Sequence, residues 1–169
     1  MTVTPYTLAV EQVAHTLQQV LALLDKGAAY AEAKKFDSVV LVNARLAPDM
    51  HPLSKQIQIL SDSAKFGIAR LTGLDAPKFE DTEKTLDELK ARIAKTLDYV
   101  KSTAASAFEG SEDRQIQIKL PNRTIEMSGL VYLRGWLIPN FFFHVSMAYA
   151  ILRHNGVDIG KRDFLGELK

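Results

Sequence analysis

The sequence predicts an all-α fold, a bundle of four long helices with a small β-hairpin before the last of them. Two observations predict the helices. Apolar residues recur at three- and four-residue steps in three segments, and the segment 139–156 is almost wholly apolar. A third observation predicts the hairpin, because polar and apolar residues alternate on both sides of residues 120–123.

Length and composition predict one domain over residues 1–169, since 47% of the residues are hydrophobic and 24% are charged. The net charge of +1 creates no field that would attract nucleic acid. Cysteine is absent, which excludes disulfides and thiolate chemistry. The N-terminus lacks a signal-peptide pattern, and the apolar run 138–152 is shorter than the roughly 20 residues that span a bilayer. We therefore expect a soluble, cytoplasmic protein with no nucleic-acid partner and no membrane.

The first long helix is predicted over residues 6–24, where the apolar side chains share one face. Thr4 is a suitable N-cap, and Pro5 suits the first turn because its missing N–H would be unsatisfied there anyway. Gly27 weakens the helical pattern. The alanine-rich stretch after it favours continuation to about Lys35.

Residues 38–46 suit either a strand, because several are β-branched, or a short helix, and the short helix is favoured by the context. The second long helix is predicted over residues 51–71 and ends at Gly73. Its core stripe is predicted to consist of Leu53, Ile57, Leu60, Ala64, Ile68 and Leu71.

A third long helix is predicted to begin at Asp81. Acidic residues stand near its start and basic residues further along, as the helix dipole favours. Its core face is carried by leucine, isoleucine and valine. Its charged residues, Arg92 among them, are interpreted as the solvated side.

The hairpin is predicted over residues 114–127. A lone two-stranded ribbon is marginal in water, so it should pack on the bundle or on a partner chain. Residues 128–137 are interpreted as a connection with a turn of helix, and the fourth long helix is predicted to begin at Pro139 and end at Gly156. The remaining tail is too short to do more than fold back on the bundle.

His144, in the middle of the fourth helix, is the main functional candidate. It cannot share a metal ion with His154, because ten helical residues separate the two by roughly 80° around the axis and 15 Å along it. Ala148, four residues on, offers no ligand. A hydrogen-bonded core histidine is the plainer interpretation. The alternative is a catalytic pair in which Asp62, predicted near the bundle interior, orients His144 and raises its pKa.

Three segments, residues 44–73, 81–93 and 137–166, resemble a bacterial family of unknown function within the DinB/YfiT-like superfamily. The most specific motif is PNFFFH followed by AYAILRHNGVDIGKRDFLG. The resemblance implies an up-down-down-up four-helix bundle that is often a homodimer. It also implies a superfamily in which many members bind a divalent metal through three histidines.

In metal-binding relatives, one histidine lies on the second helix and an HxxxH pair lies on the fourth. His144 matches the first member of that pair. The second member falls on Ala148, and the second-helix position falls on Ile59. By this resemblance, only one of the three histidine ligands is present. We therefore expect no bound metal, no cofactor, and none of the metal-assisted thiol transfer or hydrolysis found in the superfamily.

Two functional hypotheses remain open. The first, towards which the sequence leans, is a soluble bacterial bundle that acts as a homodimeric module with an incomplete metal site. The second is a small-molecule-binding protein, or a divergent transferase or hydrolase, with a pocket around His144 and with Asp62 as its partner. The sequence does not decide whether the protein is an enzyme.

Overall fold

The structure, a computed structural model, describes residues 3–167; Met1, Thr2, Leu168 and Lys169, at the ends of the predicted N-terminal and tail segments, lie outside the described residues. The fold is all-α with one hairpin, as predicted. In chain order the elements are α1 (Val13–Lys34), α2 (Val39–Asn43), α3 (Leu53–Thr72), α4 (Leu86–Ser102), β1 (Gln115–Leu120), β2 (Arg123–Ser128), α5 (Gly129–Tyr132), α6 (Ile138–His154) and α7 (Lys161–Leu165).

The helix directions follow from contacts between α1, α3, α4 and α6. Gly27, in α1, lies against Leu86 at the start of α4 and Leu152 near the end of α6. Helix α1 is therefore antiparallel to α4 and parallel to α6. Near its start, α3 forms a hydrogen bond with His144 of α6, and near its end with Tyr132, which precedes α6 in the chain. Helix α3 is therefore antiparallel to α6, and the four helices have up-down-down-up connectivity.

The core lies between the four long helices. Gly27 does not interrupt α1, which continues to Lys34, and a π-helical segment, Thr7–Gln12, leads into it. Residues 39–43 form the short helix that the context favoured over a strand. The predicted core stripe of α3 is confirmed, since each of its six members is at most 1% exposed: Leu53, Ile57, Leu60, Ala64, Ile68 and Leu71.

Helix α4 begins later than predicted. Its N-cap is Thr85, whose hydroxyl accepts from the backbone N–H of Glu88 at 3.2 Å, while the Glu88 carboxylate accepts from the Thr85 N–H at 3.1 Å. This reciprocal pair satisfies two of the free N–H groups at the helix start. Asp81 instead lies in the loop before α4 and forms an ion pair with Lys55 at 2.6 Å.

The prediction that Arg92 lies on the solvated side of its helix was wrong. Arg92 is 3% exposed, and its guanidinium bridges Asp62 on α3 and Glu83 in the loop before α4, at 2.9 and 3.0 Å. Lys65, on α3, is 2% exposed and donates to the carbonyl of Pro77 at 3.0 Å. These buried cations fasten the loop between α3 and α4 to both helices.

The predicted connection before α6 is instead part of one continuous helix. A π-helical segment, Leu133–Leu137, joins α5 to α6, and the resulting helix, Gly129–His154, is 26 residues long. Its most apolar window has a mean hydropathy of 1.3, and 33% of that window is buried. By length and composition this helix could cross a membrane, a test that the core helix of a soluble protein also passes.

The hairpin is confirmed over β1 and β2, with Ile116 opposite Met127 and Ile118 opposite Ile125. Ile116 and Ile118 are 3% and 6% exposed, because one face of the ribbon packs on the bundle. That burial supplies the cover that a two-stranded ribbon needs.

Candidate functional site

His144 lies on α6 and contacts α3 through a neutral amide. Its Nδ1 is 2.7 Å from Oε1 of Gln56, a residue that is 2% exposed. Nε2 of Gln56 donates to the backbone carbonyl of His51 at 3.2 Å, which assigns the amide nitrogen to His51 and the amide oxygen to His144. Nδ1 of His144 is therefore the donor, and in the neutral ring Nε2 carries the lone pair.

Burial lowers the pKa of His144 below its usual value, and electrostatic repulsion between the imidazoles of His144 and His51 lowers this pKa further. The imidazole is therefore neutral at neutral pH. Its lone pair at Nε2 is available to accept a hydrogen bond or a proton.

The depressed pKa of His144 predicts a loss of stability in acid. Because the unfolded chain binds the proton more tightly, this stabilisation is present above the unfolded-state pKa, about 6.5, and is lost as the pH falls towards the folded-state pKa. Urea unfolding between pH 8 and pH 5 should therefore show a steeper loss for the wild type than for His144→Gln. Equal pH dependence of the two proteins would contradict the prediction.

Asp62 does not orient His144. Its Oδ1 accepts from Arg92 at 2.9 Å and lies 3.1 Å from the ammonium of Lys65. The predicted aspartate–histidine pair is therefore absent, and the predicted rise of the His144 pKa is replaced by a fall. Sequence reasoning missed Gln56, although it lies three residues after Leu53 and next to Ile57, and therefore borders the core stripe.

The three-histidine metal site of the superfamily does not fit these residues. Ile59 and Ala148 have no ligand atoms in their side chains. Asn140, four residues before His144 on the same helix face, carries an amide whose Nδ2 donates to the carbonyl of Trp136 at 2.7 Å. Across residues 3–167, no group of three or more histidine, aspartate or glutamate side chains is arranged to hold a metal ion.

A cleft of about 240 Å³ opens between α3 and the helix Gly129–His154. His144 does not line this cleft, but Asn140, one turn before it, does. Arg70 of α3 reaches across and donates to the hydroxyl of Tyr132 at 3.1 Å. The remaining walls combine apolar and polar side chains: Ile59, Asp62, Ser63, Phe66, Trp136 and Leu137.

The fold is that of a DinB-like helical bundle. The crystal structure of a DinB family member from Shewanella denitrificans is similar to this chain, with a TM-score of 0.90 and 44% sequence identity over 96% of this chain and 92% of that one. The family described as a domain of unknown function, DUF1993, matches residues 6–165. The chain belongs to this family, which confirms the resemblance carried by its C-terminal motif. No curated protein matches the chain.

Proposed function

We propose that this protein is a homodimeric module of the DinB-like fold that lacks the three-histidine metal site, and that two copies pair through the outer face of α6. One observation carries the proposal. The helix Gly129–His154 is apolar enough to be a core helix, yet only 33% of its most apolar window is buried. Apolar surface left open to water on a helix of this kind favours association.

The outer face of α6 consists of Pro139, Phe143, Met147 and Ala150, which lie within about 80° of one another at 100° per residue. None of the four is buried, and Phe143 is 54% exposed. None of these four side chains is charged. A second copy of the same face is a suitable partner, because a two-fold interface is self-complementary and apolar surfaces need no opposite charge to pair.

Phe143→Asp is expected to convert the dimer to a monomer, since a charge placed at the centre of an apolar interface loses its water without gaining a partner. Light scattering coupled to gel filtration, with protein loaded at micromolar to 100 micromolar concentrations, measures the change. Val40→Asp is the matched control, because Val40 is 55% exposed but lies on α2. A wild type that is a monodisperse monomer throughout this range would rule the dimer out.

Binding of a small molecule is a second candidate function, and the cleft between α3 and the helix Gly129–His154 is the observation that favours it. Ligand sites are concave and mainly apolar, with a few polar groups that orient the ligand. Here the lining combines the aromatic rings of Phe66, Tyr132 and Trp136 with polar side chains, namely Asp62, Ser63, Arg70 and Asn140. His144 does not line the cleft and lies one helical turn after Asn140, which does.

A further inference from the structure

The charges around the cleft are balanced except at Arg70. Asp62 belongs to a network of three carboxylates and three cations, in which each carboxylate has a cationic partner within 3.1 Å: Asp62, Asp81 and Glu83 with Lys55, Lys65 and Arg92. Arg70 forms no ion pair with a carboxylate of residues 3–167. The uncompensated charge at the cleft is therefore positive.

The guanidinium of Arg70 is held in place without a counter-ion. It donates to the hydroxyl of Tyr132, and its central carbon lies 5.7 and 5.8 Å from the ring centres of Phe66 and Tyr132. Its remaining N–H groups form no hydrogen bond with another side chain or a backbone carbonyl among residues 3–167. An arginine that is positioned by aromatic rings and keeps free donors is suited to binding an anion.

Tyr132 provides a second donor at the same point. It is 1% exposed, and its hydroxyl accepts from Arg70, so its own proton is left to donate. Burial raises the pKa of Tyr132, against the smaller opposing effect of Arg70, and the hydroxyl is protonated at neutral pH. Two donors therefore meet in a cleft whose walls are partly apolar.

We propose that the cleft binds a small organic monocarboxylate, with its carboxylate on Arg70 and Tyr132 and its apolar body between Phe66 and Trp136. This inference rests on the second candidate function, ligand binding in the cleft. A single cation matches one negative charge better than the two of a phosphate monoester. The volume of about 240 Å³ is below the roughly 300–1,000 Å³ of drug-sized sites, which favours a small ligand.

The test compares three probes of one shape, benzoate, benzyl alcohol and benzylamine, by ligand-observed NMR and calorimetry at pH 7.5. Benzoate is expected to bind saturably at one site per chain. Arg70→Met should weaken benzoate binding roughly tenfold or more, because a charge-assisted hydrogen bond is lost, and Tyr132→Phe should weaken it by a smaller factor. Arg153→Met is the matched control, since Arg153 also lies on an exposed helix surface but away from the cleft.

The outcomes separate this inference from ligand binding in general. Equal benzoate affinity of Arg70→Met and the wild type would overturn the assignment to Arg70. Binding of benzyl alcohol or benzylamine without binding of benzoate would leave the cleft as a ligand site and overturn the carboxylate. If no probe binds at millimolar concentrations, both proposals fail. Arg70 is exposed, so its variant should fold, and its circular dichroism and thermal midpoint verify this.

Discussion

Arg92→Met is expected to lower the free energy of unfolding by about 3 kcal/mol. Removing one partner of a buried ion pair costs about 3–5 kcal/mol, because the remaining charges lose their compensation. The lower end applies here, since Asp62 and Asp81 are each 37% exposed and keep part of their hydration. For a domain of this size the thermal midpoint should fall by roughly 6–12 °C. Urea unfolding followed by circular dichroism measures the change.

Lys95→Met is the matched control for this prediction. Lys95 lies three residues after Arg92 on α4, and it is exposed. Its replacement should change the free energy of unfolding by less than about 0.5 kcal/mol, as surface substitutions usually do. A loss for Arg92→Met that is no larger than the loss for Lys95→Met would show that the buried network does not stabilise the loop before α4.

Gly129→Ala is expected to be strongly destabilising, by about 3 kcal/mol or more. A Cβ atom at Gly129 would overlap the backbone carbonyl oxygen of Ser111, and Ser111 is fully buried. Backbone yields less readily than a flexible side chain, so the cost should reach the upper end of the usual 1–3 kcal/mol for overpacking. The adjacent hydrogen bond from the N–H of Leu130 to the carbonyl of Glu112, 3.0 Å long, would be strained as well.

Gly135→Ala is the control for Gly129→Ala, because it adds the same methyl group to the same continuous helix. No atom lies within 4 Å of the position that a Cβ would take at Gly135. We expect it to be neutral or to stabilise by up to about 1 kcal/mol, since alanine has fewer unfolded conformations. Thermal unfolding of both variants measures the contrast. Similar midpoints for the two would contradict the close approach of Gly129 to Ser111.

The helices and the hairpin could be predicted because their signals are local. The core stripe of α3 repeats at helical spacing, and the strands alternate around the turn. The start of α4 was missed because Asp81 and Thr85 both suit an N-cap. Packing decides between them, since Asp81 is engaged by Lys55 and leaves Thr85 to cap the helix. The sequence did not show that residues 129–137 continue into the last long helix. Part of this stretch is a π-helical segment, in which apolar residues do not follow the spacing of an α-helix.

The site was predicted less well than the fold. His144 was identified from its apolar surroundings, and the absence of ligands at Ile59 and Ala148 was visible in the resemblance. The hydrogen-bond partner of His144 was not identified. Asp62 and Gln56 both lie on the side of α3 near the core, and their order along the helix does not show which one faces α6. The structure pairs Gln56 with His144 and directs Asp62 to Arg92.

By itself, the sequence determined the fold class and the family, since helical periodicity and a long motif are readable along the chain, and it predicted that two of the three histidine ligands are missing. Only the tertiary structure decided which charges are buried together, which side chain orients His144, and that a cleft lies beside Arg70. The reason is physical. Ion pairs, hydrogen bonds and clefts join residues that are distant in sequence, and their partners are selected by how the helices pack.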